Sequence, residues 1–188
     1  MDMPDVPERS DSLHDIVAVS VAILAAFMAV TKVKDDNIVQ AMLQAKSDAV
    51  DTWGEYQAKK IKQHVLELGR DQAILLKASA TAPSKAFDEV IAKDTAEIER
   101  YKKEETELRD KAKKHEAEYD TLNYRDDQFD LSDAALSVCL ALFAVTALTG
   151  RRWLLGVAYV FAGLGVLMGL AGLMGLRLHP DWLTRLLS

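Results

Sequence analysis

A single cysteine, Cys139, occurs in 188 residues, and it lies inside an apolar run. One thiol excludes an intramolecular disulfide framework and any multi-cysteine zinc site. Basic charge is not in excess either: 23 Lys and Arg stand against 29 Asp and Glu, for a net charge of −6. Nucleic-acid binders present a basic stripe to phosphates, so no nucleic-acid partner is expected. The four histidines, His14, His64, His115 and His179, are scattered without metal-ligand spacing. A Gly-rich phosphate loop after a strand, a nucleophile elbow and an HExxH helix are all missing. The acidic run Glu104, Glu105 and Glu107 sits among Lys102, Lys103 and Lys111 and reads as a solvated helix face. No catalytic residue, cofactor or metal is therefore expected, and the chain does not read as an enzyme.

What the sequence does have is segregation. Charge is concentrated between Lys32 and Asp133, whereas the flanks hold the long apolar runs. The first run is uncharged from Ile16 to Thr31. With a snorkelling Lys32 it makes a transmembrane helix over 15–33, close to the lower limit of about 17 residues needed to cross a bilayer. A cleaved signal peptide needs a basic leader and a small-x-small cleavage site. The leader over 1–14 is instead acidic, with Asp2, Asp5, Glu8 and Asp11 against Arg9, so the helix is expected to be retained. The second and third spans are placed at 132–150 and 153–176, separated only by the turn around Arg151 and Arg152. Two Gly-containing runs in tandem, uncharged over 134–150 and 153–176, point to lipid rather than to buried core helices.

Each span carries small residues at spacings of three and four. They are Ala18, Ala22, Ala25 and Ala29; then Ala134, Ser137, Ala141 and Ala144; then Ala158, Ala162, Gly165, Gly169 and Gly172. Helices in lipid gain little by hiding apolar surface from one another, so small residues matter because they let backbones approach. These stripes are expected to be helix-packing faces, within one subunit or between subunits. The tail over 177–188 places Trp182, Leu183, Leu186 and Leu187 on one face and is read as interfacial.

Residues 34–131 read as an extramembrane helical hairpin turning near 79–84, where Pro83 falls among small residues. The outgoing arm shows Ile38, Met42, Ala45, Ala49 and Trp53, then Tyr56, Ile61, Val65, Leu68 and Leu75, with a slip of phase near Lys60 that predicts a local change of packing. The return arm keeps a heptad seam through Phe87, Ile91, Asp94, Ile98, Tyr101, Glu105, Leu108, Ala112, His115, Tyr119, Leu122, Asp126 and Phe129. A stripe of that length between charged positions predicts a coiled coil. Its polar members Asp94, Glu105, His115 and Asp126 are read as specifying register, with a pH-sensitive or ion-binding set as the rival reading. The fold class is thus an all-α membrane protein: three transmembrane helices, with a long antiparallel helical hairpin between the first and second.

Two stretches carry a resemblance. Lys32-Val-Lys-Asp-Asp-Asn-Ile-Val-Gln-Ala-Met42 and Asp51-Thr-Trp-Gly-Glu-Tyr-Gln-Ala-Lys59, with the Arg151-Arg152-Trp153 turn, resemble the bacterial membrane family called domain of unknown function 4337. The resemblance covers nearly the whole chain and implies the same helical layout, and no activity comes with it. Trp53, Tyr56, Gln57 and Lys59 are its most distinctive residues; they are read either as a recognition site or as packed hairpin core.

The expected location is the bacterial inner membrane, multi-pass. Lys and Arg favour the cytoplasmic side. A cytoplasmic hairpin keeps Lys32, Lys34, Lys46, Lys113, Lys114, Arg125, Arg177 and Arg185 inside and exports Arg9, Arg151 and Arg152. Because Arg151 and Arg152 occupy the shortest loop, the margin for that side is narrow. Two helices alone leave apolar residues wet on more than one face of the hairpin, so a homo-oligomer in contact with membrane lipid is expected, with a structural or scaffolding role. An oligomeric ion channel with the hairpins as gate or vestibule is the alternative. An accessory role beside an unidentified protein partner is the third reading.

Overall fold

A computed structural model describes residues 12–79 and 85–176. The reading of a turn near 79–84, most of the acidic leader and the interfacial tail at 177–188 therefore lie outside the described residues. Within them the chain is all-helical: α1 (Ser12–Ser79), α2 (Lys85–Thr149) and α3 (Arg152–Met174), with no strand. All three are long and apolar enough to cross a membrane.

Neither α1 nor α2 contains a proline, so nothing removes a backbone donor along 68 and 65 residues respectively. Asp15 in the first turn of α1 and Lys77 in its last turn suit the helix dipole. Gly150 ends α2 with φ of 66°, its N–H bonded to the Thr146 carbonyl at 2.9 Å. Gly175 closes α3 in the same left-handed conformation, and Leu176 N–H reaches back to Ala171 O at 2.9 Å. Both positions need φ above zero, which costs glycine least.

The chain divides into two units, each drawing on both long helices: residues 1–41 with 121–188, and residues 42–120. In the first, the core is Val17 and Leu24 of α1, Leu136, Cys139 and Phe143 of α2, and Ala158 and Ala162 of α3. Phe143 meets Tyr159 edge to face at 5.4 Å, and Ser20 shares a 2.7 Å hydrogen bond with the Tyr159 hydroxyl. Large apolar side chains such as Val19, Ile23, Val145, Val160 and Leu167 point outward.

In the second unit, side-chain pairs couple α1 to α2 in opposite chain directions. Lys46 lies over the Tyr119 ring, Trp53 bonds Glu116, Lys59 bonds Glu104 and Lys77 bonds Asp88. The heptad seam of α2 is the inward face: each of its positions from Phe87 to Phe129 is buried or half-buried, with Ile98 and Ala112 the deepest of those in this unit.

α1 behaves differently. The helix runs through Lys60 without a break, so the phase slip is no change of backbone. Before it, Ala45, Ala49, Trp53 and Tyr56 are buried or half-buried; after it, Ile61, Val65, Leu68 and Leu75 are exposed. The inward positions that replace them are Lys59, Gln63, Leu66, Arg70 and Ala73. The slip is a switch of the apolar pattern from the inner to the outer face of one straight-through helix.

Candidate functional site

Among the four motif residues, Trp53, Tyr56 and Lys59 are spaced by three and fall on the side of α1 that engages α2. Trp53 Nε1 donates to Glu116 at 2.8 Å, and its ring meets Tyr56 edge to face at 5.4 Å. Lys59 Nζ donates to Glu104 Oε2 at 2.5 Å and sits 5.5 Å from the Tyr101 ring centre. The carboxylate raises the Lys59 pKa, and the ammonium in turn lowers that of Glu104. Gln57 is on the other side, exposed. Trp53 and Lys59 thus hold α1 to α2, Tyr56 packs on Trp53 within α1, and Gln57 is left over. Beside them, Lys46, Ala49, Trp53, Glu116 and Tyr119 line an open groove of about 400 Å³. It is shallow, bears both charge signs, and has no convergent set of buried polar groups of the kind that orients a small ligand.

The packing stripes divide sharply. On α3, Ala158, Ala162, Gly165, Gly169 and Gly172 are all buried. A Cβ added at Gly165 would lie 2.6 Å from Leu136 Cγ, one at Gly169 2.8 Å from the Phe27 ring, and one at Gly172 2.9 Å from the Phe129 ring. Ser132 Oγ donates to Gly165 O at 2.8 Å, a contact that a β-carbon on the facing helix would crowd. By contrast Ala18, Ala22, Ala25 and Ala29 of α1, and Ala134, Ser137, Ala141 and Ala144 of α2, are exposed. The three stripes do not converge on one another.

Of the polar seam residues, Glu105 and His115 each bury an atom with no hydrogen-bond partner among the described residues (Oε1 and Nδ1), and His115 Nδ1 lies 3.9 Å from Glu118. Asp126 belongs to a group that the sequence reading did not assemble. Asp35 of α1 is only 4% exposed. Lys32 Nζ donates to its Oδ2 at 2.9 Å, while its Oδ1 has no partner among the described residues. The Asp126 carboxyl lies close to Asp35, with Asp130 and Asp127 nearby. Burial first, then the negative charge of Asp130 and the bond to Asp35, push Asp126 up to about 6. Burial and the Asp35 carboxylate also raise Asp130. Two carboxyls in contact hold one proton more readily than two charges. No set of three or more His, Cys, Asp or Glu among the described residues is placed to hold a metal ion. The only sign of Asp35 in the sequence was its i,i+3 relation to Lys32; its proximity to Asp126 is a tertiary fact.

Next to this group, α2 closes the C-terminal end of α3. Arg125 donates from Nη2 and Nε to Gly172 O at 2.9 and 3.3 Å, and Gln128 Nε2 donates to Leu176 O at 2.7 Å. Carbonyls at a helix end lack intrahelical donors, and a guanidinium there also meets the negative pole of the dipole.

Compared with curated proteins and with solved structures, the chain has no match. The residues that carry the resemblance, the Trp53–Lys59 motif and the turn before Trp153, fall within a match to a family model that extends over residues 13–175, and the chain belongs to that family, described as domain of unknown function DUF4337.

Proposed function

We propose that this protein is a multi-pass inner-membrane protein that self-assembles and serves as a structural scaffold, without catalytic activity. In this reading the apolar parts of α1, α2 and α3 cross the bilayer, and residues 34–131 form an antiparallel coiled-coil hairpin, held on the cytoplasmic side by its Lys and Arg content. The outward apolar side chains of the first unit suit contact with lipid.

The observation that carries self-assembly is the outward placement of Ala18, Ala22, Ala25 and Ala29 on α1 and of Ala134, Ser137, Ala141 and Ala144 on α2. The equivalent stripe on α3 is consumed inside the subunit. A smooth alanine face turned to lipid gives little packing of its own, whereas against another helix it permits close backbone approach. A pore is less well supported: of the hydroxyls that could line one, Ser20 bonds Tyr159 and Thr146 is fully buried on the Leu142 carbonyl, while Ser137 is exposed within the alanine stripe of α2. The test is subunit number in nanodiscs extracted directly from membranes, by mass photometry. A uniform oligomer is expected; a monomer throughout overturns self-assembly, and a hydrated open axis with ion flux in liposomes replaces the scaffold by the channel.

A further inference from the structure

We propose that the outward face of α1 between Leu43 and Leu75 is the surface on which a second copy of this chain docks. This rests on the self-assembly reading above and names the surface it would use outside the apolar spans. The face is built from Leu43, Val50, Ile61, Val65, Leu68 and Leu75, in steps of 7, 11, 4, 3 and 7 residues, each a near-whole number of helical turns. All six side chains lie on one stripe, and all are exposed, at 58–69%. The inward face of the same stretch is poorer in large apolar groups: Ala45, Ala49, Thr52, Gln63 and Ala73 are its buried members. The stretch therefore keeps much of its bulkiest aliphatic surface in water.

Six such residues expose roughly 600 Å² together, as large as the largest apolar patches that monomers carry and close to the ~800 Å² per partner of a standard interface. The remaining positions on the stripe are Ser47, Gly54, Gln57 and Gln72. No charge occurs on it from Leu43 to Leu75, although the helix around it is strongly charged. That absence selects the occupant. In a symmetric contact between copies in register, each central residue meets its own counterpart, so any charge on the stripe would face its like. Glutamine and serine pass this condition because each amide or hydroxyl both donates and accepts. The bordering charges are of both signs, with Lys46 and Asp71 on one shoulder and Asp51 and Lys62 on the other. A strongly acidic or basic partner, or an anionic lipid surface, would meet repulsion at half of them. Gln57, the motif residue left over from the α1–α2 contact, lies on this stripe.

The test uses the full chain in native-extracted nanodiscs with Cys139→Ala, checked to keep the parent's subunit number. Single cysteines are placed on the stripe (Val50→Cys, Ile61→Cys, Leu68→Cys) and at exposed positions of α2 (Glu99→Cys, Lys113→Cys), then oxidised with copper phenanthroline. Disulfide-linked dimers of the chain are expected at least tenfold faster on the stripe than at the controls. In parallel, Ile61→Lys with Val65→Lys is expected to lower the subunit number or to raise the dissociation constant at least tenfold, with unchanged helicity by circular dichroism. An oligomeric parent with equal cross-linking at stripe and control, or an assembly indifferent to the double lysine, overturns this surface and leaves self-assembly standing. Cross-linking of the stripe to a different protein overturns the second copy as occupant. A parent that is monomeric throughout overturns both readings together.

Discussion

Replacing Gly169 by alanine adds one methyl group where α3 meets α1 and α2, and the structure says where it lands. The new Cβ would sit 2.8 Å from two carbons of the Phe27 ring and 2.8 Å from Ser132 Oγ. Ordinary carbon–carbon contact begins near 3.5 Å, so the ring, the serine or the helix must shift by more than half an ångström. Overpacking of this kind costs about 1–3 kcal/mol. Moving Ser132 also disturbs its bond to Gly165 O, worth about 1 kcal/mol. The helix itself gains up to about 1 kcal/mol from replacing glycine by alanine, leaving a net loss of about 1–3 kcal/mol. Gly163 supplies the control on the same helix, since a Cβ there meets nothing within 4 Å. Gly163→Ala keeps only the helix gain and is expected to be neutral or slightly stabilising. The two variants should differ by about 2–4 kcal/mol, on the order of a hundredfold or more in the folding equilibrium. Reversible unfolding in bicelles, followed by steric trapping, measures the difference directly. Phe27→Leu should recover part of the loss in the Gly169→Ala background and less than nothing alone, a coupling that only contact between the two sites produces. Equal stabilities for the two alanine variants, or strict additivity with Phe27→Leu, would refute this packing.

Three further outcomes follow from the polar contacts. Asp126 lies at about 6 in the folded chain against 3.8 for the free side chain, so the folded state holds the extra proton between those values. This group leaves stability intact below about pH 4, lowers it as pH rises to about 6, and has no further effect above. The two-unit shift corresponds to about 3 kcal/mol at most, reduced to about 1–2 kcal/mol because the carboxyl is only half-buried and partly screened. Asp126→Asn should flatten unfolding midpoints measured from pH 4 to 7.5 and raise the one at pH 7; an unchanged slope would exclude the Asp35 contact as its source. Arg125→Met should leave the Gly172 carbonyl only its 3.4 Å bond from Gly175 N–H, costing about 1–2 kcal/mol, with faster amide exchange confined to the last turn of α3; unchanged exchange there would contradict the cap. Exchanging Lys59 and Glu104 should restore most of what Lys59→Glu alone loses in thermal midpoint, and a double variant as unstable as the single one would mean the pair does not hold α1 to α2.

The apolar helices and the seam of α2 were legible in the sequence for one physical reason: charge marks the outside. Long charge-free runs stand out from a charged middle, and on α2 most positions off the seam carry a charge, so Phe87 to Phe129 could be followed and does face inward. The same rule does not work where both sides of a helix are apolar. Small residues on α1, α2 and α3 share one spacing, yet only those of α3 are buried within the chain; in an apolar surround, spacing does not tell neighbour from lipid. Asp35 was invisible for the opposite reason. It stands among other charges, and only the fold turns it inward against Asp126.

α1 is where the rule of reading apolar as inward fails, and the failure carries information. Beyond Lys60 most of the larger aliphatic residues are outside; Leu66 is half-buried, and the other inner positions fall to Gln63, Arg70 and Ala73. An isolated two-helix pair gains by rotating α1 to bury Ile61, Val65 and Leu68 instead, since each large aliphatic side chain is worth about 1.5–3 kcal/mol when fully covered. Against that rotation stand the Lys59–Glu104 pair and the Trp53–Glu116 contact, which are half-buried to exposed and individually small. Covering the outward face, as the proposed assembly does, removes the gain that such a rotation offers. In the proposed assembly the phase slip in the sequence answers two burial demands on one helix: one from α2, met within the chain, and one from the second copy.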